Sequence, residues 1–266
     1  MRYCLLSAVV FVLSCCLSSI ALTADYIEKD GKMWMPLFDG KTLDGWETPK
    51  IEGDKKAEVK DGVIILGREG LTPGIKYNKA FPKSNYEIIY EAKRIAGYDF
   101  FGTLTFPVKE SHCSFVNGGW GGFLTGISSI NGYDASENET TSYYEFKDRQ
   151  WYRFRICVSD DRILVWFHPV DDDEEETEKE GETAALDKKP ESKEEAEKRE
   201  DIEKPKVDLM LEDKEITTRL EVSFYKPLGL TTWNTEGHIR DIRYRELSLG
   251  EIDSIKNLPD RFQQNR

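Results

Sequence analysis

Residues 35–47 read MPLFDGKTLDGWE. Two Asp-Gly pairs, Asp39-Gly40 and Asp44-Gly45, fall five residues apart, and Trp46 follows at once. An aspartate accepts backbone N–H bonds within a tight turn, and glycine adopts the positive φ such a turn demands. A core strand needs neither. The stretch is therefore read as a structural closure. It turns the chain twice in quick succession so that a first strand and Trp46 meet a β-sandwich at its edge.

The segments around it read as strands. EVKDGVIIL (58–66) places Asp61-Gly62 between two β-prone runs, a hairpin signal. NYEIIYEAKRI (85–95) alternates, with Tyr86, Ile88, Tyr90 and Ala92 on one face and Glu87, Ile89, Glu91 and Lys93 on the other. WYRFRICVSDDRILVWFHPV (151–170) reads as a hairpin turning around Ser159 to Arg162, with Tyr152, Phe154, Ile156 and Val158 inward. DFFGTLTFPV, TRLEVSFYKPLGLTTW and HIRDIRYREL read as further strands, the last with a bulge where Ile239 and Ile242 break the alternation. Many strands, frequent turns and no helical period before the insert predict an all-β fold, a jelly-roll sandwich of two antiparallel sheets.

The first two dozen residues have another character. Arg2, an apolar run from Cys4 to Leu13 and the small-residue exit IALTA predict an export signal over residues 1–24, cleaved after Ala24. Lipidation at Cys15 or Cys16 is the alternative, and a retained anchor is the third reading. Residues 25–266 then form one sandwich domain in the periplasm or outside the cell. Only Cys113 and Cys157 remain in it, either as one disulfide or as two separate buried thiols.

Of the net charge of −13, the stretch 171–206 carries −9, from 17 acids and 8 bases. It is an acidic low-complexity insert with too few apolar residues to offset ordering, placed where a hairpin tip belongs. ESKEEAEKRE within it has i,i+4 pairs suited to a solvated helix. The rest of the chain is only mildly acidic and has no basic patch, which argues against nucleic acid or an anionic membrane as partner. It contains no Cys/His metal spacing, no phosphate-binding Gly-Lys-Ser/Thr loop and no Gly-x-Ser-x-Gly elbow.

With these pieces placed, the chain resembles the DUF1080 family, the 3-keto-disaccharide hydrolase domain. LFDGKTLDGWE, VKDGVIIL, NYEIIYEAKR and KPLGLTTWNTEGHIRDIRYREL carry the resemblance, which spans nearly everything from residue 25 except the insert. It implies a concanavalin-like jelly roll with a carbohydrate-facing groove in secreted bacterial proteins. It also implies cleavage of an oxidised glycoside by abstraction of the proton beside a ketone and loss of the glycosidic oxygen; no cofactor is expected from the motifs present, a structural calcium apart. The chain departs from the family at AGYDFFGTLTF, where members carry G-N-S-G-I, and at GLTTWN, where many carry a histidine.

That reaction needs a base and a group that stabilises an enolate. The candidates are His112, the single histidine between Tyr98 and Glu139, Asp99 at a strand start, and Arg153 as the cation. His112 and Arg153 also have plainer readings: a surface or core histidine, and a surface arginine paired near Glu87 and Glu91. Substrate contacts are expected from Trp120, ringed by Gly118, Gly119, Gly121 and Gly122, and from Asn117, Tyr98, Arg155, Trp233 and Asn234. Indole faces pack on sugar C–H surfaces while amides and carboxylates take hydroxyls; Trp120 as a core residue in a Gly-rich bulge is the competing reading. Asp134, Glu137 and Glu139 read as an acidic turn, or as a structural calcium loop with non-EF-hand spacing. Three functions stand: a hydrolase acting on 3-keto-glycosides, a non-catalytic carbohydrate-binding module on the same fold, and a structural surface protein.

Overall fold

The structure, a computed structural model, describes residues 26–170 and 204–259. The predicted leader, nearly all of the acidic insert and its predicted helix lie outside the described residues. Among the described residues sixteen strands form two antiparallel sheets. The larger runs β1 (Ile27–Lys29), β2 (Lys32–Pro36), β16 (Thr235–Glu246), β7 (Tyr86–Gly97), β12 (Trp151–Val158), β13 (Arg162–Val170) and β14 (Val207–Met210), with the hairpin β4 (Glu58–Lys60) and β5 (Val63–Leu66) attached through β5 to β16. The smaller runs β11 (Ser142–Tyr143), β10 (Leu124–Ser128), β9 (Ser111–Gly118), β8 (Phe101–Val108), β15 (Gly229–Thr232), β6 (Gly74–Tyr77) and β3 (Trp46–Glu47). The chain passes repeatedly from one sheet to the other, as a jelly roll does.

The period-2 patterns decide which side of each strand meets the core. Tyr86, Ile88, Tyr90 and Ala92 on β7 and Phe154, Ile156 and Val158 on β12 are wholly buried between the sheets, against Leu104, Phe106 and Phe115 of the smaller sheet. In β16 the register shifts between Arg240 and Arg243, with Asp241 at φ 51°, and this bulge brings both Ile239 and Ile242 into the core. The opening stretch closes the sandwich as its turns imply. Leu37 N–H donates to the Ile242 carbonyl of the larger sheet, while Trp46 pairs with Tyr77 of the smaller one. Asp39 accepts the N–H groups of Lys41 and Thr42, and Trp46 Nε1–H donates to the Leu37 carbonyl at 2.6 Å.

The described strands on either side of the acidic stretch, β13 and β14, pair directly and antiparallel (Arg162 with Met210, Val165 with Val207). Cys113 and Cys157 are separate buried thiols. Cys113 faces the core, whereas Cys157 lies on the outer side of the larger sheet, where burial pushes its thiol up to about 12.

Two segments depart from expectation. TRLEVSFY is not a strand: Leu220–Tyr225 forms a 3-10 turn whose buried residues, Val222 and Tyr225, are three apart, the spacing of that helix. Tyr225 packs over Gly74 and Gly229 and donates its hydroxyl to the Thr72 carbonyl. The helix Leu249–Lys256, which sequence reasoning did not assign, opens on a capping box, with Ser248 and Glu251 bonding each other's backbone N–H. Its Ile252 and Ile255 pack against Cys157, Leu164 and Leu247. Among the described residues no helix is long and apolar enough to cross a membrane.

Glu251 also takes a two-pronged bond from Arg245, at 2.9 and 2.7 Å. That guanidinium holds its carboxyl down at about 2. A depressed carboxylate stabilises the fold fully above its unfolded value of about 4.3 and loses the effect as pH falls toward the folded one. Thermal melts of the protein and of Glu251→Gln should therefore differ at neutral pH and converge between pH 4.5 and 2.

Candidate active site

The outer face of the smaller sheet presents short hydroxyl side chains. Thr103 on β8, Ser114 on β9 and Ser128 on β10 form the floor of a cavity of about 250 Å³. One wall is the chain that enters the 3-10 turn, with Arg219, Glu221 and Val222; the other is built from Asp99, Phe100 and Trp120, with Trp233 and the buried Thr72 completing the lining. The second wall depends on glycine. Trp120 and Gly121 sit at φ 49° and 95°, and a Cβ on Gly122 would lie 3.1 Å from the Tyr98 carbonyl oxygen and 2.9 Å from Arg94 Nη1. Only glycine lets the 118–123 turn press so closely on the 97–100 loop. The result leaves the indole of Trp120 42% exposed at the mouth of the cavity.

Asp99 is the titratable group this wall delivers. Its Oδ1 accepts the Phe100 N–H at 2.9 Å, and its Oδ2 accepts the Gly121 N–H only at 3.4 Å. Burial raises its pKa above the usual carboxylate value, against the opposing pull of those N–H groups and of Arg94. Such a carboxylate is a better proton acceptor than one in water.

Facing the same space is a cation locked in place. Arg219 Nη1 donates to Asp134 Oδ2 at 2.7 Å, and its Nε and Nη2 donate to Glu221 at 3.3 and 3.2 Å. Asp134 is in turn fixed by the hydroxyls of Ser128 and Ser129, at 3.1 and 3.2 Å. The Arg219 guanidinium holds the Glu221 carboxyl below its usual range and lies 5.8 Å from the Trp120 ring centre. Three of the five guanidinium N–H donors are taken by these carboxylates, so donors remain for a ligand oxygen.

The structure brings together only some of the residues singled out from the sequence. Asp99, Trp120 and Trp233 line the cavity. Tyr98 lies on the far side of the same wall. Asn234 is exposed in the turn between β15 and β16 at φ 47°. Asn117 is fully buried, accepts from the Thr103 hydroxyl and does not line the cavity. His112 is half-buried on β9 outside the cavity; burial, and Lys226 and Lys83 nearby, lower its pKa. Arg153 and Arg155 are on the opposite side of the molecule, on the outer face of the larger sheet, because strand alternation sends them away from the core. There Arg153 binds Glu91 at 2.8 Å, and Arg155 binds Glu87 and lies 4.3 Å from the Trp166 ring centre. The cation of the cavity is Arg219, which sequence reasoning missed together with Glu221. Both sat in a segment read as a strand, and no local pattern joins them to Asp99. The acidic turn is also engaged: Asp134 with Arg219, Glu139 with Lys214 at 2.6 Å. Among the described residues no three His, Cys, Asp or Glu side chains converge as metal ligands.

The family model described as a 3-keto-alpha-glucoside-1,2-lyase-like domain matches residues 33–245. No curated protein matches the sequence. Among solved structures, the chain is similar to the Crh5 transglycosylase in complex with NAG, with 10% identity over 79% of this chain and 81% of that one and a TM-score of 0.48. It is also similar to the carbohydrate-binding module CBM66 from Bacillus subtilis, with 11% identity over 76% and 96% and a TM-score of 0.40.

Proposed function

The chain belongs to the 3-keto-alpha-glucoside-1,2-lyase-like domain family, and from that premise we propose that it cleaves 3-keto-glycosides at the cavity beside Asp99. The observation that supports this most is the meeting of one raised-pKa carboxylate and one positioned guanidinium in a single aromatic-walled pocket.

A ketone at C3 of a sugar acidifies the hydrogen on C2, because the electron pair left behind spreads onto the ketone oxygen as an enolate. Asp99 accepts that proton. Arg219 donates hydrogen bonds to the enolate oxygen; it acts through aimed N–H groups more than through net charge, since Asp134 and Glu221 flank it. Those same carboxylates hold it in position beforehand, so little reorganisation is needed as charge develops. The enolate then collapses. Its electron pair forms the C1–C2 double bond, and the glycosidic oxygen leaves from C1 and takes up a proton. Addition of water across that double bond completes a net hydrolysis. Phe100, Trp120 and Trp233 offer ring faces for the sugar C–H surface, and Thr72, Thr103, Ser114 and Ser128 offer hydroxyl partners.

The test incubates the protein with 3-keto-glucosides and their unoxidised parents and follows release of the aglycone or second sugar by mass spectrometry. Cleavage of the keto forms alone is expected, with kcat lowered by about 10²-fold in Arg219→Met. Binding of the sugars without any cleavage would overturn the enzyme reading and leave a carbohydrate-binding module.

A further inference from the structure

A second cavity, of about 540 Å³ and open to solvent, lies across a thin ridge from the first. The ridge is made of two adjoining pieces of chain, Tyr98-Asp99 and Trp120-Gly121. Each gives one residue to either side: Asp99 and Trp120 face the first cavity, Tyr98 and Gly121 the second. The pieces are tied by the Gly121 N–H on Asp99 and by the close approach of Gly122 to the Tyr98 carbonyl. The carboxylate read as the base is thus part of the divide.

The second cavity has a rigid floor and an unusual rim. Arg94 forms the floor, donating to Asp148 at 2.6 Å, to the Phe146 carbonyl at 2.6 Å and to the Gly122 carbonyl at 3.2 Å. At the rim Tyr98 and Phe123 are 60% and 49% exposed, and the ring of Tyr143, itself exposed, tilts against Phe123 with centroids 6.0 Å apart. Packing does not explain large aromatic rings left open along one edge of a cavity. Glu145 and Lys147 stand beside them, exposed. Open ring faces next to a carboxylate and an ammonium are what a pyranose requires, with apolar C–H faces and a girdle of hydroxyls.

The volumes point the same way. About 250 Å³ in the first cavity falls below the roughly 300–1,000 Å³ of sites that enclose drug-sized ligands, so it does not hold two sugar rings. We infer that the second cavity is the subsite for the leaving-group sugar, so that a 3-keto-disaccharide straddles the ridge and its glycosidic bond crosses beside Asp99. This rests on the reading of the first cavity as the keto-sugar site. Tyr98 and Phe123 are then specificity-determining residues: they recognise the part of the substrate that departs.

The test compares kcat/KM for the 3-keto form of a glucosyl-glucose disaccharide with that for methyl 3-keto-glucoside, in the full chain and in Phe123→Ala, Tyr98→Ala and Tyr26→Ala. Loss of one ring contact should lower the disaccharide-to-methyl ratio about five- to tenfold in the first two variants. Tyr26→Ala, an exposed aromatic change away from both cavities, should keep the ratio of the parent. A ratio unmoved by both Phe123→Ala and Tyr98→Ala overturns the subsite. Where the parent cleaves neither substrate, it is the chemistry that fails, and the subsite is read by calorimetric titration with the unoxidised disaccharide and methyl glucoside. Tighter binding of the disaccharide that Phe123→Ala abolishes sustains it; equal or absent binding, or indifference to Phe123→Ala, overturns it.

Discussion

Asp99→Asn should lower kcat for a 3-keto-glycoside by about 10²- to 10⁴-fold, the range supplied by a positioned general base. The substitution keeps the shape of the side chain and an oxygen for the Phe100 N–H, and removes the ability to take a proton. The pH profile is the sharper readout. Burial raises the Asp99 pKa, so the fraction of ionised base, and with it the rate, should climb with pH through a value above the usual carboxylate range of about 3.9. Below that value the parent loses activity, whereas the residual rate of Asp99→Asn should lack this acidic limb. A thermal melt close to that of the parent separates lost chemistry from lost structure. Should Asp99→Asn retain both the limb and a rate within threefold, the base lies elsewhere, and Glu221 is the next carboxylate of the cavity.

The second large effect belongs to stability and to the opposite face of the sandwich. Glu91 has only 4% of its side chain exposed and accepts from Arg153 at 2.8 Å and Arg240 at 2.8 Å. Burial by itself would raise its pKa, but the two guanidinium groups outweigh it and the net shift is downward. Arg240 and Lys93 also sit over the Trp151 ring, at 4.3 and 4.4 Å. Glu91→Ala removes the shared carboxylate from between two largely buried cations, a loss that costs about 3–5 kcal/mol when such a pair is broken from one side. For a chain of this size that lowers Tm by roughly 10 °C. Because the folded pKa is depressed, the stabilisation is complete above the unfolded value and is lost as pH falls through the folded one, so the gap in Tm should close in acid. A variant that replaces Glu91, Arg153 and Arg240 together with apolar residues should recover much of the loss. A Glu91→Ala melt within 2 °C of the parent at neutral pH would mean that solvent and the remaining acids already screen these cations.

The alternation along NYEIIYEAKRI and WYRFRICV assigned the core face of β7 and β12 residue by residue, and the Asp-Gly pairs placed two turns and a hairpin. These are local properties. A strand's two faces and a turn's φ values are set by the covalent chain within a few residues, so one sequence suffices to read them. The bulge at Ile239 and Ile242 was legible for the same reason. Arg153 and Arg155 show where such reading stops: the pattern correctly sent them to the outer side of β12, yet which outer side faces a ligand is decided by what else covers each sheet. The cavity draws its parts from Asp99, Trp120, Ser128 and Arg219, segments joined by no periodicity. The 3-10 turn that carries Glu221 and follows Arg219 exists because Tyr225 finds Gly74 and Gly229 beneath it. The amino-acid sequence by itself determined the two-sheet fold, its inward faces and its turns. Only the tertiary structure decided which carboxylate and which guanidinium share a pocket, because that is set by contacts between residues far apart in the chain, such as Arg219 with Asp134 and Tyr225 with Gly74.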